Sequence, residues 1–214
     1  MPPGRKVILF VLCAAWAAAS ALFVLADFAG VSARFSDYYK YTVIITCVFI
    51  AFTASEFNQE KLLKAAMLLT AAADLFILVL LIYTPGIVIF CAAHTLYAVR
   101  NARNVKILLI HIVSVASSFV CYIITNDALV SVSLLYVCCL LINAGSSLFT
   151  KKRRFLIITG MALFLCCDVC VLLYNTPSFR LNSVAGPLIW LFYAPSQLLL
   201  ALSGVPKNKD AKVR

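Results

Sequence analysis

Two aspartates stand in runs that are otherwise built to meet lipid. Asp74 lies inside "TAAADLFILVLLIY", Thr70 to Tyr83, and Asp168 inside "LFLCCDVCVLLY", Leu163 to Tyr174. At the centre of a membrane helix an aspartate costs about 2.5–3.5 kcal/mol, so such residues are kept for pairing or for chemistry. The plain structural alternative is a packing residue hydrogen-bonded to a neighbouring helix. The chemical reading is acid–base work: two carboxylates in one cavity cannot both ionise freely, which leaves one protonated acid and one carboxylate at neutral pH. That is the partition used in two-carboxylate hydrolysis.

The elements that position them are set by composition. The chain has 214 residues, 64% hydrophobic and 12% charged. A soluble domain is about 45–50% apolar, so lipid is the solvent for most of this surface. Eight apolar stretches are expected to be helices, at roughly 7–26, 38–55, 62–83, 86–100, 105–124, 128–149, 155–174 and 184–203. The fourth is short and the second only just long enough to cross. The expected fold is an all-α integral membrane bundle of eight transmembrane helices, a single domain over residues 1–214. The first stretch runs to about Ala26, long enough to be a retained helix rather than a cleaved leader. Spans 3 and 7 carry no Pro or Gly near their acids, so no break is signalled there. The nine cysteines lie scattered along apolar runs. They are read as small packing residues, with no disulfide framework and no metal site.

Charge sets the orientation. With eight spans both termini share one side. That side carries Arg5, Lys6, Lys61, Lys64, Arg100, Arg103, Lys106, Lys151, Lys152, Arg153, Arg154, Lys207, Lys209, Lys212 and Arg214. The far side carries only Arg34, Lys40 and Arg180 of the 18 Lys and Arg. Basic loops stay cytoplasmic, so both termini are expected in the cytoplasm of a multi-pass protein, in a bacterial cell membrane. The net charge of +10 is thereby explained by topology and anionic lipid, and nucleic acid is not called for as a partner. Oligomeric state is not legible.

The two aspartates match in depth. Each lies about 12–13 residues from the basic start of its helix, some 18–20 Å in, at or just beyond the midplane. Other polar side chains fall at helical spacing. Span 4 carries His94 and Tyr97, span 8 Tyr193 and Gln197, span 6 Tyr136, Cys139 and Asn143. For each stripe, interhelical hydrogen bonding is the alternative to a site. For His111, Ser114, Ser118 and Tyr122 of span 5, glue is the preferred reading. Lys40 opens span 2 on the outer side, where it either snorkels or meets a lipid phosphate. Spans 3–4 and 7–8 echo each other faintly: Asp, then Tyr83-Thr-Pro; Asp, then Tyr174-Asn-Thr-Pro. An offset of four helices corresponds to two parallel four-helix repeats.

"AAADLFILV", "GIVIFCAAHTLYAV", "GMALFLCCDVCVLL" and "FYAPSQLLLAL", in this order across eight spans, resemble the YhhN-like lysoplasmalogenase family. Gly86, Phe90, His94 and Tyr97 match its Gly-x-x-x-Phe-x-x-x-His-x-x-Tyr pattern. Asp74 and Asp168 match its two acids, and Tyr193 and Gln197 its Tyr-x-x-x-Gln. The sequence departs from the pattern where Ala73 replaces a Gly, Cys167 a Ser and Tyr41 a Pro. The resemblance implies hydrolysis of the vinyl-ether bond of lysoplasmalogens to a fatty aldehyde and a glycerophospho-head group, with a lysophospholipid as substrate and no cofactor. Asp74 and Asp168 would be catalytic; His94, Tyr97, Tyr193, Gln197, Lys40, Tyr136 and Asn143 would line the site. Because Asp168 sits among residues with few donors while Thr70 lies one turn before Asp74, Asp168 is expected as the protonated acid and Asp74 as the carboxylate. The rival readings are a proton-coupled transporter of a small solute, which also needs midplane acids, and a scaffold or sensor without turnover.

Overall fold

The computed structural model describes residues 1–29, 33–56, 59–102, 104, 106–151, 153–176 and 182–206. Eight α-helices run through them: α1 Pro3–Phe28, α2 Ala33–Ala54, α3 Lys61–Asp74, α4 Tyr83–Ala102, α5 Lys106–Thr125, α6 Ala128–Ser147, α7 Arg154–Asn175 and α8 Asn182–Leu202. No strand occurs among the described residues. Arg103, Lys152, Arg180 and the cations after Pro206 lie outside the described residues.

The eight expected helices are present, but among the described residues six stretches, not eight, are long and apolar enough to cross a membrane by length and composition. The two that fall short are α2 and α4. The physical reason is their polar load: α2 opens on Arg34, Asp37 and Lys40, and α4 carries His94, Arg100 and Asn101. On α4 most of that load is hidden, since His94 and Asn101 are buried against neighbouring helices. The lipid-facing work falls to others. On α1 and α5, Phe10, Leu25, Ile112, Val113, Phe119 and Ile124 are more than half exposed. Exposed apolar stripes on that scale fit a multi-pass membrane protein and no soluble globule.

A second correction concerns α3. The sequence reads as one span over 62–83, unbroken near its acid. Instead α3 ends at Asp74 and passes into a π-helical turn over Leu75–Val79. The chain then leaves helical form, with Leu81 in the left-handed region at φ 57°, before α4 begins at Tyr83. The sequence signal lies not in α3 but in α4. A Cβ added at Gly86 would stand 2.5 Å from Ile77 Cγ1 and 3.1 Å from the Ala73 carbonyl oxygen. Gly86 lets α4 approach the backbone on which Asp74 sits. A π turn adds a residue to the helical ladder and re-aims the residues after it.

The helix contacts repeat with an offset of four. α1 packs on α2 as α5 on α6, α2 on α3 as α6 on α7, and α3 on α4 as α7 on α8. The seams between halves correspond too, α4 with α6 and α8 with α2. The two ends of the bundle are also distinct. At the basic end, Arg100 at the close of α4 pairs with Glu60 at 2.8 Å and reaches the Ser203 carbonyl after α8 at 3.4 Å. Arg153 bonds the Val205 carbonyl at 3.0 Å. At the other end Lys40 bridges Asp27 and Asp37 at 3.3 and 3.6 Å. Alternating helices therefore begin and end where the charge pattern requires.

Candidate functional site

Asp74 is the last residue of α3 and is 4% exposed. Its Oδ2 accepts a hydrogen bond from Tyr193 Oη of α8 at 2.6 Å. Asp168, half-buried on α7, accepts from Tyr136 Oη of α6 at 2.9 Å. Each carboxyl is thus held by one phenol from a different helix, and each phenol answers part of the burial cost of a polar group in an apolar setting. Counted from Lys61 and Arg154, the acids lie 13 and 14 residues along their helices.

What joins them is a packed cluster of rings. From Asp168 the path runs through Tyr136 to His94 at 5.4 Å between ring centres, from His94 to Phe164 at 4.9 Å, and from Phe164 to Tyr193 at 5.4 Å. Tyr193 closes on Asp74. Phe90, one turn before His94, packs on His94, Tyr136 and Phe164 at 6.1–6.3 Å. The rings meet mostly edge to face, the arrangement their quadrupoles favour. The local sequence explains the convergence. Gly86, Phe90 and His94 recur every four residues and so form one stripe of α4. Phe164 precedes Asp168 by four on α7 and lies on the same face. In α8, Pro195 lies between Tyr193 and Gln197. It has no N–H for the Leu191 carbonyl, so one rung of the helical ladder is missing beside the site.

The remaining candidates divide. Asn143 is fully buried and lies 3.1 Å from His94 Nδ1. Tyr97 and Gln197 are buried, at 1% and 0% exposure, but neither hydrogen-bonds to a carboxylate. Lys40 lies in its two ion pairs, with its side chain 11% exposed, and 5.6 Å above the Trp190 ring. Trp190 in turn packs on Tyr193 at 5.3 Å, so Lys40 stands two rings from Asp74. The span 5 reading as glue fits Ser118, whose Oγ donates to the Ser131 carbonyl of α6 at 2.6 Å.

The hydrogen bonds do not separate the two acids in the expected way. Thr70 Oγ1 makes no hydrogen bond to Asp74. Asp168, poor in donors along its own helix, has Tyr136. Periodicity along one helix sees only that helix, and both donors arrive from elsewhere. Three further residues escaped the sequence: Phe164, Met161 and Asn101. Asn101 carried a usable signal, for it stands seven residues after His94, two turns down the same face. A cavity of about 330 Å³ lies at the basic end and is lined in part by Glu60, Arg100, Asn101, Phe149 and Lys151.

No curated protein matches the chain, and no solved structure does. The model of the YhhN family matches residues 35–204. That stretch begins at the foot of α2, takes in both aspartates with their tyrosines, and ends just beyond α8. Most of the bundle being covered, the chain belongs to the YhhN family.

Proposed function

We propose that this protein is a lysoplasmalogenase-type membrane hydrolase that opens the vinyl-ether bond of a single-chain ether lipid. The observation that carries the reading is the pair of intramembrane carboxyls, each held by one tyrosine, at the two ends of one aromatic cluster. YhhN membership supports it.

The chemistry needs few parts. A protonated carboxyl delivers its proton to the vinyl carbon remote from oxygen, and the C=C pair forms the new C–H bond. The other vinyl carbon becomes an oxocarbenium ion, which a carboxylate and the faces of aromatic rings stabilise. Water adds to that carbon and loses a proton to a carboxylate. The hemiacetal then collapses: its hydroxyl proton passes to one carboxylate, the C–O bond to glycerol breaks, and the glycerol oxygen takes a proton from the other carboxyl. Water is the only co-reactant. Tyr136 and Tyr193 hold the carboxyls in place through the cycle. The test is incubation of the purified protein with lysoplasmenylethanolamine. Free aldehyde that rises with enzyme and vanishes in Asp74→Asn and Asp168→Asn supports the reading; no aldehyde under any condition removes it.

One observation favours a second reading. The π turn after Asp74 and Pro195 beside Tyr193 place irregular helix at the acid, as in proton-coupled transporters. Proton-driven uptake of a small solute into liposomes, without aldehyde release, would decide for it.

A further inference from the structure

Among the buried polar atoms that lack a hydrogen-bond partner, three belong to two side chains of one neighbourhood. Gln197 is 0% exposed, yet neither its Oε1 nor its Nε2 is hydrogen-bonded. His94 is 1% exposed, and its Nε2 is likewise unpartnered. Buried polar atoms are nearly always satisfied, and each exception calls for an explanation. Arg100 Nη2 meets the Ser203 carbonyl at 3.4 Å, and α4 and α8 run in the same direction. His94 and Gln197 each stand six residues back along their helices from that contact. Phe164 packs on His94 and on Tyr193, and Tyr193 lies one turn before Gln197.

The surroundings also determine what His94 offers. Asn143 Nδ2 is 3.3 Å from Met161 Sδ. A thioether can only accept, so the amide nitrogen, not its oxygen, is on that side. The same nitrogen is 3.1 Å from His94 Nδ1, which must therefore be the accepting nitrogen. A neutral imidazole that accepts at Nδ1 carries its proton on Nε2. The amide is held from its other end as well, where Asn101 Nδ2 donates to Asn143 Oδ1 at 3.3 Å. The open atom of His94 is thus an N–H donor, locked by Asn143 and Asn101.

The complement of this set is specific. The imidazole N–H needs an acceptor, the Gln197 carbonyl a donor, and the Gln197 amide a further acceptor. A hydroxyl with an oxygen on the adjacent carbon supplies all three. On a glycerol lipid this is the free middle hydroxyl beside the ether or phosphoester oxygen. We propose that His94 and Gln197 together read that free hydroxyl, which makes them the residues that select a single-chain glycerol lipid over one whose middle oxygen is acylated or alkylated. The identity of the ligand rests on the lipid-hydrolase reading above. Asn143 and Asn101 are positioning residues that keep the donor on Nε2. A site that hydrogen-bonds a hydroxyl rejects the analogue lacking it strongly, because its own polar atoms are then left unmet.

The test uses ligands that cannot turn over. The purified full chain in detergent is titrated calorimetrically with a saturated 1-O-alkyl lysophospholipid and with its 2-deoxy and 2-O-methyl analogues. The hydroxyl lipid is expected to bind on the order of 100-fold more tightly than either analogue. In Gln197→Leu and His94→Phe that ratio should fall below about 10-fold, with binding of the deoxy lipid kept. Equal affinity of the parent protein for hydroxyl and deoxy lipids overturns the proposal, whether or not the variants fold. A full ratio retained in both folded variants overturns it as well. The two readings fail separately. Hydroxyl-selective binding without aldehyde release from the vinyl-ether lipid leaves the proposal standing and removes the hydrolase. Cleavage of hydroxyl and deoxy vinyl ethers at equal kcat/KM does the reverse.

Discussion

Asp74 and Asp168 each accept one phenol hydrogen bond inside an apolar bundle, and each tyrosine should matter to stability. Asp74 is 4% exposed and depends on Tyr193 Oη. Tyr193→Phe leaves a carboxyl buried without that donor, and is predicted to lower stability by about 1–3 kcal/mol, read as a drop in the detergent melting temperature. Tyr136→Phe likewise strips the Asp168 carboxyl of the phenol that donates to it at 2.9 Å, so a loss of the same order is expected. An unchanged melting temperature in either variant would mean that its carboxyl has another donor. For rate, both Asp74→Asn and Asp168→Asn are predicted to lose on the order of 10²-fold or more. A two-carboxylate mechanism also predicts a bell-shaped pH profile of kcat/KM. Losing the proton donor removes the limb at high pH, because that limb is its deprotonation. Losing the carboxylate removes the limb at low pH, where it would protonate. The variant profiles therefore assign the roles that the hydrogen bonds leave symmetrical. A parent rate in either folded Asn variant would sink the mechanism.

Among the elements, the α3–α4 corner is where local sequence and site geometry meet. Gly86 lies on the turn below Asp74, with Ile77 and the Ala73 carbonyl within reach of any Cβ. Gly86→Val must push α4 away from that backbone or drive Ile77 out of place. Such overpacking is expected to cost about 1–3 kcal/mol and to weaken activity by displacing Phe90 and His94, which ride on the same stripe. Ile77→Ala should restore part of the stability of Gly86→Val, because the tightest clash is with that flexible side chain. A melting temperature unchanged by Gly86→Val would show that the approach is not close. Pro195 tests the other wall. Pro195→Ala supplies an N–H to the Leu191 carbonyl, so thermal stability should hold or rise while activity falls, since Tyr193 and Gln197 flank the missing rung.

The whole bundle predicts an orientation. The charge count predicts the α6–α7 connection inside and the α5–α6 connection outside. In a background with its nine cysteines replaced, Asn126→Cys should react with an impermeant reagent in sealed cells and Lys151→Cys only after lysis. Both side chains are exposed, so a negative result at Lys151 cannot be blamed on burial. Labelling of Lys151→Cys in intact cells would reject the topology. The contacts that repeat after four helices set the acids in corresponding helices, α3 and α7, yet their phenols come from α8 and α6, which do not correspond. The two halves share a frame and differ in how they hold their carboxyls.

By itself the sequence determined the eight helices, their alternation and the identity of the two acids set in apolar helices, because these depend on local quantities. Hydropathy over a turn or two marks a helix that can meet lipid, the count of Lys and Arg orients each connection, and a charge in an apolar run stands out against its neighbours. It also placed His94, Tyr97, Tyr193 and Gln197 by spacing within single helices. It could not supply anything settled by contact between helices distant in the chain. The donors to the carboxyls come from 32 and 119 residues away. The π turn after Asp74 has no Gly or Pro of its own, and the space it occupies is left by Gly86 of the next helix. Two helices that the sequence reads as spans, α2 and α4, fall short on polarity, and on α4 neighbouring helices cover His94 and Asn101. In lipid, apolar faces do not discriminate between partners; which helices meet, and so which tyrosine reaches which aspartate, was decided by packing and hydrogen bonds in the assembled bundle.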